Sequence, residues 1–359
     1  MMHIHIFLDS IFLGSYLDFI SSKFDSKHHF FFVISKGEQL FSYNKHNNYE
    51  VIDRNSRKKL FLSKHLRGKN VKIYIHALYG ERVLKTLLSC LVLFKPNVTL
   101  IFWGGDLKAA IELKEKKPKS FYEKQLNFMN ALIIGKCKAI CTLTKEEFKL
   151  VNKYFRSKSI YKKAVYINPI QLKKEGYFTH QKKNTDTVNV QVGNSSTKTN
   201  NYEEIFNVLK AFKNKDIRIY AMLSYGDESY AKVISQLGTE LLGDRFIPVR
   251  ELMNPQEYEK FLEKKEILVM NNNRQQGLGN IYTYLASGKK VFIRKDSPMW
   301  EYLSEECGLK IFDSCGIKDM DYSEFVHMKD EDRVENAKKA SYFFYSEEYL
   351  YEVWKKIFD

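Results

Sequence analysis

The 359-residue sequence predicts an α/β protein made of two doubly wound parallel-sheet domains. Short apolar runs of strand length alternate with amphipathic stretches of helical length, the pattern of βαβ units. The alternation stops in a polar, lysine-rich segment from Asn168-Pro169 to Asp186 and restarts at Val188. The chain is also too long for one typical core and about right for two.

In the first half, residues 3–8, 30–34, 71–76, 98–103, 139–143 and 164–167 are apolar enough to be strands buried on both faces. Segments 80–94 and 121–134 read as the helices between them. In the second half, strands are expected at 188–192, 217–222, 245–249, 267–270 and 290–294, the last completing the second sheet. Helices are expected at 202–212, 230–237 and 255–264, with a fourth ending near Ser287-Gly288. Asn254 and Pro255 form a ready N-cap and first turn for the third. Residues 335–358 read as a broken terminal helix. The expected organisation is a first domain over 1–170, a linker over 171–187, a second domain over 188–340 and a C-terminal helix over 341–359 able to pack back on the first domain.

Charge is distributed unevenly. Residues 1–185 hold 34 Lys+Arg against 14 Asp+Glu, a net of +20, whereas residues 186–359 hold 24 against 29, a net of −5. Such asymmetry points to an anionic surface or acceptor for the first half. No nucleic-acid-binding signature accompanies it, and nucleic acid is not an expected partner. Five cysteines without a C-x-x-C pair argue against a disulfide framework or structural zinc and fit a reducing compartment. The N-terminus lacks the basic stretch of a signal peptide, and no apolar run reaches the roughly 18 residues of a membrane span. A soluble or peripheral cytoplasmic protein is expected.

Ligands in open α/β sheets bind beyond the carboxyl ends of the strands, so the residues there are the candidates. After the strand at 188–192 comes Gly193-Asn194-Ser195-Ser196, with a helix following. After the strand at 267–270 comes Asn271-Asn272-Asn273-Arg274-Gln275-Gln276-Gly277-Leu278-Gly279, again with a helix following. Helix N-termini attract phosphate, and Arg274 adds a full charge. These two loops are read as a nucleotide-diphosphate site, with Tyr225 and Arg250 beyond two neighbouring strands and Asn280 and Thr283 on the helix after the second loop. No divalent metal is expected, since these groups are assigned the diphosphate charge with no Asp-x-Asp pair in that role. Gly277-Leu278-Gly279 is not a dinucleotide fingerprint, because Tyr282 stands where the third glycine belongs. Ser287-Gly288-Lys289-Lys290 is not a P-loop, because Thr283 and Lys290 replace the first glycine and the hydroxyl residue. In the first half, Asp106, His76 and Asp9 sit at strand carboxyl ends, where a carboxylate or imidazole could deprotonate an acceptor hydroxyl.

The order and spacing of several motifs resemble glycosyltransferase family 56. They are Trp103-Gly104-Gly105-Asp106-Leu107, Gln191-Val192-Gly193-Asn194-Ser195, Arg274-Gln275-Gln276-Gly277-Leu278-Gly279, Ala286-Ser287-Gly288, Ser297-Pro298-Met299-Trp300, and Phe343-Phe344-Tyr345-Ser346-Glu347-Glu348-Tyr349-Leu350. The resemblance implies the GT-B architecture, two Rossmann-like domains facing a central cleft, with the nucleotide sugar held by the second. It further implies transfer of a 4-acetamido-4,6-dideoxyhexose from a dTDP-sugar donor to a polyprenyl-diphosphate-linked glycan. The place would be the cytoplasmic face of a bacterial inner membrane, with the first domain on the anionic membrane surface. Gly105 and Lys108 depart from the alanine and tyrosine of the motif's best-known member, so another nucleotide sugar with an O-antigen or capsule acceptor is the alternative.

Overall fold

A computed structural model of the protein describes residues 1–35, 43, 45–53, 64–67, 70–78, 97–116, 119–166 and 187–359. The helix expected at 80–94 and the linker segment before 187 lie outside the described residues. The chain divides into two compact units, one of Met1–Pro169 with Glu347–Asp359 and one of Ile170–Ser346.

Among the described residues, seven parallel strands form the sheet of the first unit: β1 (Met2–Leu8), β2 (His29–Ser35), β3 (Tyr49–Asp53), β4 (Val71–His76), β5 (Asn97–Ile101), β6 (Ala139–Thr142) and β7 (Ile160–Lys163). Their order is β3-β2-β1-β4-β5-β6-β7, so the direction of winding reverses between β1 and β4. Helices α1 (Ile11–Lys23), α2 (Gly105–Glu115), α3 (Phe121–Lys136) and α4 (Lys145–Phe155) belong to this unit, as does the chain's last helix, Glu347–Phe358. Ile4, Ile6, Phe32, Ile73, Ile75, Leu100 and Ile140 on the sheet pack with Ile133, Ile134 and Val151 of α3 and α4. Ser120 and Thr144 open α3 and α4 with reciprocal capping boxes to Glu123 and Glu147.

The second unit repeats the plan with β8 (Val188–Val192), β9 (Ile217–Met222), β10 (Phe246–Val249), β11 (Ile267–Met270), β12 (Lys290–Ile293) and β13 (Phe312–Asp313), all parallel, in the order β10-β9-β8-β11-β12-β13. Its helices are α5 (Tyr202–Leu209), α6 (Glu228–Leu242), α7 (Pro255–Glu263), α8 (Leu278–Ala286), α9 (Pro298–Glu301), α10 (Tyr322–Val326) and α11 (Asp330–Tyr345). It has its own core, in which Val190, Val192, Ile219 and Val269 meet Tyr202, Phe206 and Ile234. The terminal helix breaks at Ser346, between α11 and α12 (Glu347–Phe358).

Three details differ from the sequence expectation. The strand placed at 164–167 lies at Ile160–Lys163 instead. Ala164 and Val165 owe their burial to packing, with the Val165 carbonyl accepting Trp354 Nε1–H of α12 at 2.8 Å. β3, read Tyr-Glu-Val-Ile-Asp, is an edge strand whose charged residues hide it from an apolar-run reading. The second sheet does not end at β12, because Phe312 and Asp313 pair with Phe292 and Ile293 as a two-residue strand.

Candidate active site

β8 and β11 are neighbours at the point where the second sheet reverses, and such switch points leave a crevice beyond the strand ends. The loops expected to bind the donor leave these two strands. Gly193 takes a left-handed backbone with φ +65°, and a Cβ there would collide with the Tyr202 hydroxyl and sit 2.8 Å from Asn200 Oδ1. Glycine is therefore required both by conformation and by space. Its N–H donates to Val269 O at 2.9 Å, fastening the loop to β11.

Buried Asn200 organises the first loop. Its Oδ1 accepts Asn194 N–H at 3.1 Å and Asn272 Nδ2 at 3.0 Å, and its Nδ2 donates to Ser195 O at 2.8 Å and to Thr197 Oγ1 at 2.9 Å. Ser196 donates both N–H and Oγ–H to Tyr225 O, each at 2.8 Å. A chain of side chains then joins the loops. Asn194 Nδ2 donates to Tyr225 OH at 2.8 Å, Gln276 Nε2 to Asn194 Oδ1 at 2.9 Å, Thr199 Oγ1 to Gln276 Oε1 at 2.6 Å and Arg274 Nε to Thr199 Oγ1 at 3.3 Å. Burial raises the Tyr225 phenol pKa, with the Asn194 bond and then the Arg274 charge pulling it down.

Gly277, at φ +67°, turns the second loop into α8. No side chain caps this helix, and its first turn carries no acid. In the same unit Asp227, Asn254 and Asp321 cap α6, α7 and α10, while α5, α9 and α11 lack a side-chain cap but carry acids in the first turn. An uncapped end keeps unsatisfied N–H groups and a partial positive charge. Leu278 and Gly279 form its first two positions, and Gln275 lies half-buried in the loop before it. Asn280 is buried, with Oδ1 accepting Tyr258 OH at 2.7 Å, and Thr283 donates to Gly279 O at 2.8 Å. Asn272 Oδ1 is buried with no protein partner, the kind of atom a ligand satisfies.

Two candidates fall differently from expectation. The 193–196 loop is not a helix N-terminus: a 3₁₀ turn at Lys198–Asn200 intervenes, and α5 starts only at Tyr202. Its Asn/Ser/Thr-rich sequence satisfies its own backbone instead. Arg250 is drawn to α6, where it pairs with Glu228 and donates to Ser235 Oγ at 3.3 Å. The chain also does contain two Asp-x-Asp pairs, Asp319-Met320-Asp321 and Asp330-Glu331-Asp332. Asp321 caps α10, and Asp330 and Asp332 lie in the first turn of α11. Among the described residues, no group of three or more His, Cys, Asp or Glu is placed to hold a metal ion.

In the first unit, Asp106 fastens two loops. Its Oδ2 accepts Leu78 N–H and its Oδ1 accepts Trp103 N–H, both at 2.8 Å. Ala77, just before Leu78, holds a left-handed φ of +80°, a strain that surrounding structure must maintain. Burial raises the Asp106 pKa against these backbone bonds. Trp103 Nε1 is buried without a protein partner. Sequence reasoning missed Glu147, buried in the first turn of α4, where burial with a contribution from the Asp106 charge raises its pKa to about 7. Its place in Thr-x-x-Glu reads as an ordinary capping box, which hides it. Asp9 follows β1, its N–H bonded to Ile34 O at 3.1 Å and its Oδ1 accepting Tyr43 OH at 2.7 Å.

His76 is fully buried. Its Nε2 is 3.1 Å from His5 Nδ1 and its Nδ1 is 2.6 Å from Tyr166 OH, while His5 Nε2 is 3.0 Å from His29 Nδ1. Burial holds His5 and His76 well below the ordinary imidazole range. His76 thus belongs to an interior histidine–tyrosine network rather than to an open strand end.

The family described as 4-alpha-L-fucosyltransferase glycosyl transferase group 56 matches residues 9–358. The chain belongs to glycosyltransferase family 56. It is accordingly a glycosyltransferase, and its two parallel-sheet units are those of the GT-B fold. Solved structures similar to this family 56 chain share that fold at low identity. Sucrose-phosphate synthase from Thermosynechococcus elongatus is 7% identical with a TM-score of 0.69, over 100% of this chain and 98% of that one. The lipopolysaccharide outer core galactosyltransferase WaaB, in its apo form, is 11% identical with a TM-score of 0.64, over 99% of both chains. HepE from Anabaena, in complex with UDP and glucose, is 10% identical with a TM-score of 0.66, over 100% and 99%. Among the described residues of the transferase, no helix is long and apolar enough to cross a membrane.

Proposed function

We propose that this family 56 transferase moves a 4-acetamido-4,6-dideoxyhexose from a dTDP donor to a polyprenyl-diphosphate-linked glycan at the cytoplasmic membrane face. The observation that carries the donor half is the uncapped, acid-free start of α8, linked through Gln276, Asn194 and Thr199 to Arg274. Negative charge grows on the departing diphosphate as the sugar C–O bond breaks, and preorganised N–H groups and a guanidinium stabilise it. Asn272 Oδ1 offers an acceptor to a hydroxyl or N–H of the donor rather than to its diphosphate. In this reading Asp106 takes the proton of the acceptor hydroxyl as its oxygen bonds to the anomeric carbon, and the buried Glu147 keeps a second carboxyl beside it. The charge asymmetry supports an anionic membrane surface for the first unit, and nucleic acid is not an expected partner.

Donor choice rests on α8. Its sequence from Leu278 to Ala286 contains no carboxylate to hold both ribose hydroxyls, and Thr283 spends its hydroxyl on Gly279 O. A deoxyribose needs no such partner, whereas a ribose would leave a polar group poorly matched. Calorimetry should show dTDP binding at least about tenfold tighter than UDP, roughly 1.4 kcal/mol. Equal affinity or a preference for UDP overturns the donor assignment and leaves the reaction class standing. Transfer should also survive EDTA, since protein groups carry the diphosphate charge in this reading. Loss of activity in EDTA with recovery in magnesium or manganese would show the phosphate site to be misassigned.

A further inference from the structure

We propose that the outward face of α3 is a docking surface that seats the enzyme on an anionic phospholipid bilayer. One face of α3 is core, through Met129, Ile133 and Ile134. The opposite stripe carries large apolar side chains as well, with Lys124 among them. Phe121 is 81% exposed and Phe128, two turns along, is 63% exposed, with half-buried Leu132 continuing the line. Positions 121, 124, 128 and 132 follow the three- and four-residue spacing that puts side chains on one helical face. Tyr122, 51% exposed, stands on the shoulder. Among the described residues of the first unit, every large exposed aromatic side chain is on this helix.

A surface helix ordinarily turns polar residues outward, as neighbouring α4 does with Lys145, Lys149 and Lys153 around a buried Val151 and Phe155. A helix apolar on both faces in a soluble domain marks a surface that something covers. Charge chooses the occupant. Lys119, Lys124 and Lys136 are exposed at the start, middle and end of the stripe, in the half of the chain that carries a net charge of +20. Rings that sit at the boundary of headgroups and acyl chains, with ammonium groups reaching phosphates, make an interfacial helix. At 16 residues α3 is too short to span a bilayer and suits lying in its plane.

This inference rests on the reading that the acceptor is lipid-linked, and its test is independent of turnover. Full-length protein should sediment with phosphatidylcholine vesicles that contain phosphatidylglycerol, and not with phosphatidylcholine alone. Phe121→Ser with Phe128→Ser should lower the partition coefficient by about tenfold or more, since burying a ring is a large apolar gain. Lys119→Glu, Lys124→Glu and Lys136→Glu together should remove its salt dependence. Because these side chains are exposed, thermal unfolding should be unchanged, while Leu252→Ser, an equally exposed change in the second unit, should leave binding intact. In a Phe128→Trp variant, brominated phospholipid should quench the new indole. Unaltered vesicle binding by the double serine variant, equal binding to neutral vesicles, or a wild-type dimer that Phe128→Ser dissociates would overturn the proposal. Failure of a dTDP-sugar to support transfer to detergent-dissolved acceptor would instead overturn the proposed function and leave the vesicle result untouched.

Discussion

The two sheets share one strand order over six strands, and the described residues at their carboxyl ends are used differently. In the second unit, amides, hydroxyls and Arg274 bond one another across the switch point beside an uncapped helix start. Among the described residues of the first, His76 is buried among His5, Tyr166 and Trp354, and Asp106 accepts two backbone N–H groups. Topology therefore fixes where a site can be, and the side chains at that place decide whether it binds a ligand or braces a loop. The second unit gathers amides, hydroxyls and a guanidinium at its switch point, whereas the described part of the first shows a buried histidine network and a carboxyl that joins two loops.

The strongest way to break this contrast is Asp106→Asn. If Asp106 is both brace and base, turnover should fall by on the order of a hundredfold or more while dTDP affinity, which belongs to the other unit, stays within about twofold. An amide also cannot accept both N–H groups, so a stability loss of about 1–3 kcal/mol should accompany it. Stability loss with wild-type turnover would leave Asp106 as a brace alone. Glu147, with its pKa raised to about 7, would then be the carboxyl to test.

A second comparison uses pH. His3 is pulled down to about 4 and His29 to about 3, each mainly by burial, and His5 and His76 lie well below the ordinary range. The folded first unit keeps these rings neutral, whereas the unfolded chain protonates them below about pH 6.5. The unfolded state then binds more protons, so stability falls as pH drops through that value and levels off only below the folded pKa values. The charged groups facing the network are Lys72, the N-terminal amino group, His28 and Asp25, of which only Asp25 opposes the trend. Phe358 of α12 packs edge-on against His3, His5 and His29, so the C-terminal helix should loosen with them. In a Trp300→Phe background, emission reports Trp103 and Trp354 of the first unit. Its urea midpoint should imply a loss of about 2 kcal/mol for each ring kept neutral, and so several kcal/mol for the network, between roughly pH 7.5 and pH 5. An unchanged midpoint would mean the rings are not neutral in the fold.

Much of this architecture was legible because apolar runs and loop chemistry coincide. Ile267–Met270 is apolar throughout and ends in an Asn/Arg/Gln/Gly loop, so strand and site appear together. The rest depends on partners distant in sequence. Nothing local in His3-Ile4-His5 reveals a buried hydrogen-bonded network, because its partners arrive from His29, Tyr74, His76 and Tyr166. Asn200 reads as one polar residue among many, and only its hydrogen bonds to Asn194, Ser195, Thr197 and Asn272 make it the hub of the loop after β8. Arg250 stands after β10 as expected, but Glu228, the first residue of the neighbouring helix α6, captures its guanidinium.

That capture gives the smallest and sharpest test, a comparison of two arginines in one unit. Arg274 is tied to the loop network through Thr199, and its charge reaches Tyr225. Arg274→Ala should weaken dTDP binding and lower turnover together, by about tenfold or more, because it meets charge in both ground and transition states. Arg250 is already neutralised by Glu228, with the carboxylate largely in solvent. Arg250→Ala should change dTDP affinity by no more than about threefold, in line with the 0–1 kcal/mol typical of an exposed pair. A companion Glu228→Gln would release the guanidinium without removing it. If that change tightens dTDP binding while Arg250→Ala weakens it, Arg250 is a donor ligand held in reserve by its salt bridge. Indifference to both changes leaves recognition of the diphosphate to Arg274 and the start of α8.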